Sequence, residues 1–338
     1  MKSFWQRLPR PFFALAPLED VTDAAFRRLI ASCGKPDVMY TEFTSADGLL
    51  LADEKGKQKL LKKLLYSESE RPIVAQVFTS VPDTLERVAA IIGELGFDGV
   101  DINMGCPDRA VEKSGCGAAL IKHPALAREL LRAAKRGAPG LPVSLKTRIG
   151  YNKDELESWL PELLAEAPAA IAIHARTRKE MSDVPARWDH IKRAVAIRNN
   201  RQGEASTRTL IIGNGDVENM EDAQKKAAES GCDGVMLGRA IFGTPWLFSH
   251  SQECENVPQR NIRALIEHLN LFEELLGDTT NYAVMKKHFK AYISGWAGAK
   301  DLRTLLMETE SAAAAKELLL TELAVAELEA IVSSEINA

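Results

Sequence analysis

The stretch Pro72–Gly105, "PIVAQVFTSVPDTLERVAAIIGELGFDGVDINMG", contains a pattern from which the architecture can be inferred. Two short apolar runs, PIVAQVF and GVDINMG, flank a segment whose apolar residues recur at helical spacing. Apolar runs with little alternation are typical of parallel strands that are buried on both faces. The stretch therefore predicts a strand, a helix and a second strand parallel to the first.

The same unit recurs along the chain. Eight such runs can be found: FFALAP from Phe12, DVMYTEF from Asp37, PIVAQVF from Pro72, GVDINMG from Gly99, PVSLKTRI from Pro142, AAIAIHART from Ala169, TLIIGNGDV from Thr209 and GVMLGRAIF from Gly234. Eight strand–helix units predict an α/β fold of the (β/α)8 TIM-barrel type. A doubly wound sheet is less consistent with the sequence, because ALAPLEDVTD after the first run is not a glycine-rich phosphate loop.

The character of the sequence changes after Pro245. From there to the end only helical patterns occur, and they finish in the alanine-, glutamate- and leucine-rich SAAAAKELLLTELAVAELEAIVSSE. We therefore expect a barrel domain over residues 1–250, followed by a C-terminal all-helical domain over residues 251–338.

Composition narrows the class of protein. The chain has 338 residues, of which 46% are hydrophobic and 27% charged, as is ordinary for a globular enzyme. A formal charge of −4 gives no overall attraction to nucleic acid, so any RNA-binding surface must be a local basic patch. Five cysteines without a CxxC pair argue against a disulfide framework and against a metal site. The N-terminus does not resemble a signal peptide, so we expect a cytoplasmic protein with no membrane partner.

Polar residues follow nearly every predicted strand. Active sites of TIM barrels form at the carboxyl ends of the strands. The residues at these ends are Pro17, Glu19, Glu42, Gln76, Asn103, Cys106, Lys146, Arg148, His174, Arg176, Asn214, Asp216, Gly238 and Arg239. A barrel that only had to fold would not require this ring, so we expect the active site there.

Several of these positions have more than one interpretation. Lys146 could extend to solvent or pair with Glu42, or it could be a cation held against an anionic ligand such as a reduced flavin, or a Schiff-base lysine. Gln76 could be a satisfied core residue or could bind the edge of a planar heterocycle. The glycine-containing turns at GNGDV and LGRAIFG, with Arg239, are typical of a phosphate site, although glycine also simply permits tight turns.

Cys106 lies between Gly105 and Pro107 at the end of the fourth predicted strand. Free cysteines are more often buried than reactive, and we assign Cys33, Cys232 and Cys254 to that class, while Cys116 stays open. No histidine is near Cys106 in sequence, and an unperturbed thiol with a pKa of ~8.5 is mostly protonated at neutral pH. Such a thiol can donate a proton beside a cofactor that delivers hydride, as the reduction of a C=C bond requires.

Seven motifs together resemble one family. They are APLEDVTDAAFRRL, DINMGCP, GCGAALIKHP, SLKTRIG, IHARTR, GNGDV and MLGRAIFGTPWLF. In this order they resemble the tRNA-dihydrouridine synthases, flavoenzymes that reduce uridine in the D-loop of tRNA. The resemblance covers the whole barrel and continues in VMKKHFKAYISGW, which is similar to the basic helix of the family's helical domain.

The resemblance implies roles for individual residues. Cys106 corresponds to the catalytic acid that protonates C5 of uracil while flavin N5 delivers hydride to C6, with NADPH as the reductant. The implied FMN contacts are Ala16, Pro17, Leu18, Gln76, Lys146, His174, Asn214, Gly215, Asp216, Gly238 and Arg239. The expected contacts with uridine or tRNA are Asn103, Arg176, Arg178, Lys286, Lys287, His288 and Lys290. No obligatory protein partner is evident, and we expect a monomer.

The chain departs from the family pattern at a few positions. Leu18 replaces a usual methionine, and Ser182, Val184 and Arg187 replace residues near the base-facing wall. Two other functions stay open: a flavin enzyme acting on a free pyrimidine, and a tRNA-binding barrel without catalysis. The helical domain argues against the first, and the presence of Cys106 and Lys146 argues against the second.

Overall fold

The computed structural model describes residues 3–202, 208–249 and 257–336. Cys254 and the predicted domain boundary after residue 250 lie outside the described residues. The chain forms two compact units. The first comprises residues up to Asp23 and Pro36–Ala240, and the second comprises Ala24–Lys35 and the residues from Ile241 onward.

The strands form one parallel barrel in the first unit. They are β1 (Phe12–Leu15), β2 (Met39–Tyr40), β3 (Thr44–Ser45), β4 (Ile73–Phe78), β5 (Gly99–Met104), β6 (Val143–Arg148), β7 (Ala170–His174), β8 (Leu210–Asn214) and β9 (Gly234–Leu237). Their order is β1-β9-β8-β7-β6-β5-β4-β2, and the backbone bond from Leu15 N to Val38 O, 3.0 Å, links β1 to the segment that leads into β2. The predicted TIM barrel is thereby confirmed. The second predicted strand is shorter than expected, and β3 pairs separately with β4.

The helices mostly alternate with these strands. They are α1 (Ala24–Gly34), α2 (Ala46–Leu51), α3 (Glu54–Lys63), α4 (Pro82–Glu94), α5 (Arg109–Lys113), α6 (Pro124–Gly137), α7 (Leu156–Leu164), α8 (Trp188–Gln202), α9 (Met220–Ser230), α10 (Val257–Leu276), α11 (Lys286–Tyr292), α12 (Ala299–Glu308) and α13 (Ala312–Ile336). Sequence signals set several of their ends. The Asp53 carboxylate accepts from Gly56 N at the start of α3, and Gly231 in a left-handed conformation ends α9.

The lower half of the barrel interior is apolar. Side chains at the amino ends and middles of the strands point inward and are buried: Phe12, Ala14, Val38, Tyr40, Val74, Ala170, Ala172, Leu210, Ile212 and Met236. Phe4 and Trp5 pack against this cluster, and the rings of Trp5 and Phe12 lie 5.7 Å apart. The N-terminal segment therefore closes the end of the barrel opposite the carboxyl ends of the strands.

The second unit is helical, as the sequence predicts. Helix α1 packs against α10, and α10 packs against α13. Phe26 of α1 stacks on His268 of α10 at 4.8 Å, and the ring of His288 lies 4.7 Å from that of His268. No helix among the described residues is long and apolar enough to cross a membrane.

Candidate active site

Because side chains alternate along the strands, several polar groups point into the barrel near the carboxyl ends of the strands. Parallel pairing aligns Gln76 with Asp101, Asn103 with Lys146, Arg148 with His174, and His174 with Asn214. Aligned residues on neighbouring strands share a face of the sheet. These side chains therefore form one inward ring at the carboxyl ends of β4–β8.

Cys106 follows β5 and is held by its backbone. Its N–H donates to Asn103 Oδ1 at 2.9 Å, and its carbonyl accepts from Ala118 N at 2.9 Å. Gly117 has φ = 59°, and a Cβ there would lie 2.6 Å from the Cys106 carbonyl oxygen. Only glycine permits this close approach. The position of the thiol thus depends on contacts that do not involve sulfur.

The thiol of Cys106 is half-buried, and burial raises its pKa. The backbone N–H of Asp108 and the charges of Lys146 and Arg148 oppose this effect without cancelling it. The thiol therefore stays protonated at neutral pH, which is the state a proton donor requires.

A buried chain of hydrogen bonds runs from the Cys106 backbone into the barrel. Asn103 Oδ1 accepts from Gly105 N at 3.1 Å as well as from Cys106 N, and Asn103 Nδ2 donates to Gln76 Oε1 at 3.0 Å. Gln76 Nε2 donates to Asp101 Oδ2 at 2.7 Å. The hydroxyl of Ser144 lies 2.5 Å from Asp101 Oδ1. Burial raises the pKa of Asp101 to about 6, against the hydrogen bonds from Ser144 and Gln76.

Lys146 is a cation in a desolvated position. Burial, reinforced by the charge of Arg148, lowers its pKa to about 8, while Asp101 and Cys106 act in the opposite direction. Glu42, the partner considered for Lys146 from the sequence, instead has its Oε1 3.7 Å from Lys63 Nζ. A partly dehydrated ammonium is more stable beside an anionic ligand than alone.

His174 is a neutral imidazole. Burial lowers its pKa well below the ordinary range, and the charges of Lys146, Arg148, Arg176 and Arg239 act in the same direction. Arg176 Nη1 lies 3.0 Å from His174 Nε2, and a guanidinium can only donate, so Nε2 accepts. The ring proton is then on Nδ1, which makes that nitrogen the donor that His174 can offer to a ligand.

The turn after β8 has a backbone conformation that favours glycine. Gly215 has φ = 123° and Asp216 has φ = 46°, and a Cβ on Gly215 would lie 2.8 Å from Ala186 Cβ. Asp216 accepts from Arg239 Nη2 at 2.6 Å and from Ala186 N at 2.8 Å. Burial opposes its ionisation, but these bonds and the Arg176 contact lower its pKa overall. Arg239 stays 66% exposed and retains donors for an anion.

Two residues expected to contact tRNA are buried. Arg176 is 2% exposed, because its guanidinium bonds to Asp216, to the Val184 carbonyl and to His174. His288 is 1% exposed and lies among aromatic rings of the second unit. Burial in these contacts leaves little of either side chain accessible to tRNA, and both contacts stay predictions. Arg178 is partly exposed, and its Nε donates to Glu112 at 2.7 Å.

The remaining predicted positions lie at the carboxyl ends of β1, β8 and β9 and on α11. Ala16 and Pro17 are buried at the end of β1, Leu18 is half-buried, and Asn214 donates to the Met236 carbonyl at 2.8 Å. Gly238 and Arg239 follow β9. Lys286, Lys287 and Lys290 lie on α11, apart from this ring in the sequence. Cys116 and Cys232 are buried.

Arg148 has a structural role that the sequence interpretation missed. It donates to the Gly105 carbonyl at 2.9 Å and to the Thr177 and Met181 carbonyls at 3.0 and 3.1 Å. It thus ties the Cys106 segment to the loop between β7 and α8. Arg148 lies two residues after Lys146 on β6 and therefore on the same face of the strand. This spacing is the sequence signal that places its side chain near the Cys106 segment. In that loop Arg187, one of the departures, forms a bidentate pair with Glu180 at 2.8 Å.

Comparisons with known proteins identify the family of this chain. The family model described as "Dihydrouridine synthase (Dus)" matches residues 14–329. A protein of Bacillus subtilis (strain 168), named probable tRNA-dihydrouridine synthase 2, is 41% identical over 320 residues, which cover 94% of this chain and 96% of that protein. A probable tRNA-dihydrouridine synthase of Staphylococcus aureus (strain COL) is 40% identical over 320 residues, with 94% and 95% covered.

Solved structures show the same type of barrel. Morphinone reductase is similar with a TM-score of 0.51 at 12% identity, covering 72% of this chain and 86% of that one. At such low identity the likeness concerns the fold alone. The family model, by contrast, extends over both the barrel and the helical unit. The chain therefore belongs to the dihydrouridine synthase family of oxidoreductases.

Proposed function

We propose that the protein reduces the C5=C6 bond of a uridine in the D-loop of tRNA, with FMN as cofactor, NADPH as reductant and Cys106 as proton donor. The observation that carries this proposal is the presence of a half-buried, protonated thiol and the Lys146 ammonium at the same end of the barrel, where Lys146 is aligned with Asn103, three residues before Cys106. A redox reaction on an unsaturated ring requires both a proton source and a counter-charge for an electron-rich cofactor.

The residues present fit FMN. Arg239 donates to Asp216, next to Gly215 in the turn after β8, and with its side chain 66% exposed it has donors to spare for a phosphate. Lys146, Gln76 and the Nδ1 proton of His174 suit the polar edge of an isoalloxazine ring. The remaining residues proposed to hold the cofactor are Ala16, Pro17, Leu18, Asn214, Asp216 and Gly238. When bound, the flavin supplies the hydride.

The residues of the chain supply the proton and stabilise the negative charge. Cys106 Sγ gives its proton to C5 as hydride reaches C6, and the resulting thiolate regains a proton from water. NADPH would supply the two electrons, so the overall reaction, uridine + NADPH + H+ → dihydrouridine + NADP+, balances with the proton that Cys106 delivers and regains. Lys146 stays protonated through the cycle and stabilises negative charge. Asn103 faces the same space and is proposed to contact the uracil.

A basic surface for tRNA is proposed on the second unit. The α11 lysines are Lys286, Lys287 and Lys290. Lys287 and Lys290 are exposed, and Lys286 Nζ donates to the Met307 carbonyl at 2.7 Å. With them, residues 251–338 serve as the tRNA-binding domain. Because a D-loop base must leave its stack to enter the barrel, phosphate contacts elsewhere have to stabilise the complex.

The first unit contributes a further basic surface. Helix α3 contains five lysines and one glutamate, and all of its residues are described and none is buried. The α3 lysine face is Lys55, Lys59 and Lys62, spaced to lie on one side of the helix. Lys63, at the end of α3, pairs with Glu19 after β1, which places this end of the helix at the barrel mouth. Phosphates of a tRNA entering the barrel would meet these charges.

To test this proposal, the purified protein is incubated with NADPH and unmodified tRNA. The expected results are a yellow protein with absorbance near ~450 nm, and dihydrouridine that mass spectrometry maps to the D-loop. Free uridine and uracil serve as parallel substrates. Reduction of the free base at a comparable rate would favour the alternative enzyme, and bound tRNA without any dihydrouridine would favour the silent barrel.

A further inference from the structure

The chain of hydrogen bonds from the Cys106 backbone to Asp101 can run in one direction only, because the backbone N–H groups at its Cys106 end cannot accept. The N–H groups of Gly105 and Cys106 can only donate, so the atom of Asn103 that faces them must be its oxygen. The amide nitrogen of Asn103 then faces Gln76 and donates, so Gln76 must present its own oxygen there. This leaves the Gln76 nitrogen facing Asp101.

Asp101 must therefore accept at this end of the chain. Its carboxylate receives Gln76 Nε2 on one oxygen and contacts the Ser144 hydroxyl through the other. Asp101 and Gln76 are both fully buried, so water does not replace a missing partner. An amide that lost its acceptor would rotate, and the rotation would pass to its neighbour.

We infer that Asp101 positions Cys106 by fixing the orientation of the two amides between them. The set Asp101, Gln76 and Asn103 is called the amide relay below. The inference rests on the proposed function, in which Cys106 is the proton donor. Asp101 touches neither the thiol nor the space above it, so it is a positioning residue.

The negative charge of Asp101 has a second effect that must be separated from its role as an acceptor. The charge also supports the protonated state of Lys146. Replacement by asparagine removes the charge but keeps the relay, because the new amide oxygen accepts from Gln76 while its nitrogen donates to the Ser144 oxygen. The Ser144 hydroxyl can then turn to the Val100 carbonyl, 3.5 Å away. Replacement by leucine removes the acceptor and the charge together.

The first experiment measures alkylation of Cys106 by iodoacetamide in the purified protein, with Cys106→Ala as the background for the other cysteines. We expect Asp101→Leu to change the alkylation rate by about tenfold or more, because the segment holding the thiol is released. Asp101→Asn should stay within about threefold of the wild type. Both estimates follow from an ångström-scale displacement of the reacting atom. Circular dichroism checks that each variant is folded.

A second pair of variants reverses the side-chain hydrogen bonds of the relay. This test stays informative even if Asp101→Leu does not fold. Asn103→Asp places an acceptor opposite the Gln76 oxygen, so either the relay breaks or Gln76 turns its oxygen toward the Asp101 carboxylate. Adding Asp101→Asn to that variant restores the two side-chain bonds of Gln76 in the opposite direction, while the N–H groups of Gly105 and Cys106 still donate to residue 103. We expect the alkylation rates of the single and the double variant to differ by more than about threefold, because only the double variant has an intact relay. Both carry the same carboxylate near Cys106, so its effect on the thiol cancels.

The outcomes separate this inference from the proposed function. If Asn103→Asp and the double variant alkylate at the same rate, or if a folded Asp101→Leu behaves like the wild type, the relay does not position Cys106. These measurements need neither flavin nor tRNA. If the wild type forms no dihydrouridine, the proposed function is wrong. The alkylation rates then still show whether the relay positions Cys106. Where dihydrouridine does form, Asp101→Leu should lower kcat and leave the KM for tRNA unchanged.

Discussion

Replacing Lys146 with arginine should change how the reduction of the flavin depends on pH. The pKa of Lys146 is lowered to about 8, chiefly by burial, so the cation is present below pH 8 and is lost as the pH rises above it. With this pKa about nine-tenths of the molecules carry the charge at pH 7 and about one-tenth at pH 9. If the charge stabilises the reduced cofactor, the rate of flavin reduction by NADPH in the wild type should fall about tenfold over that interval.

The matched variants separate charge from shape. Lys146→Arg keeps the cation at every pH in the range, because a guanidinium is not deprotonated there, so its profile should be flat between pH 7 and 9. Lys146→Met should be slow and equally flat. The assay is anaerobic stopped-flow at the flavin absorbance, without tRNA, so proton transfer from Cys106 to uracil does not contribute. A wild-type profile that is flat, or an arginine variant that falls like the wild type, would refute the assignment of this charge to Lys146.

Three further changes have defined outcomes. Gly117→Ala should lower the free energy of unfolding by about 1–2 kcal/mol for its left-handed φ alone, and more as the Cys106 carbonyl is displaced, which urea denaturation measures. Neutralising the α11 lysines to glutamine should weaken tRNA binding and reduce its salt dependence by up to about one unit of slope for each lysine that contacts a phosphate; an unchanged slope would place the RNA surface elsewhere. Neutralising the α3 lysine face should do the same, whereas a control with three exposed cations on α8 and α9 changed to glutamine (Lys192, Arg201 and Lys225) should bind like the wild type.

The sequence predicts the barrel well because the signal is local. Each buried parallel strand appears as a short apolar run, and all eight runs coincide with observed strands, although the second is cut to Met39–Tyr40. The alternation of side chains then places Lys146 and His174 on the inner face without further information. The assignment of α1 to the second unit was not visible, because it follows from packing against α10, far along the chain.

The sequence does not show which charged and titratable side chains are buried. Arg176 and His288 sit in basic motifs, and composition alone suggests contact with phosphates. Their burial depends on partners that are distant in sequence, Asp216 for the arginine and the ring of Phe242 for the histidine. The amide relay was missed for a similar reason. It requires the register between β4 and β5, which aligns Gln76 with Asp101 and which no pattern within either strand specifies.

The most direct test of the central claim is a single turnover of the wild type and Cys106→Ala with prereduced flavin and unmodified tRNA. The backbone contacts of Cys106 do not use sulfur, so the alanine variant should bind FMN normally and accept electrons from NADPH at the wild-type rate. Dihydrouridine formation should be slower by about 10²–10⁴-fold, the usual contribution of a general acid. Equal rates of dihydrouridine formation in the two proteins would contradict the assignment of Cys106 as the proton donor.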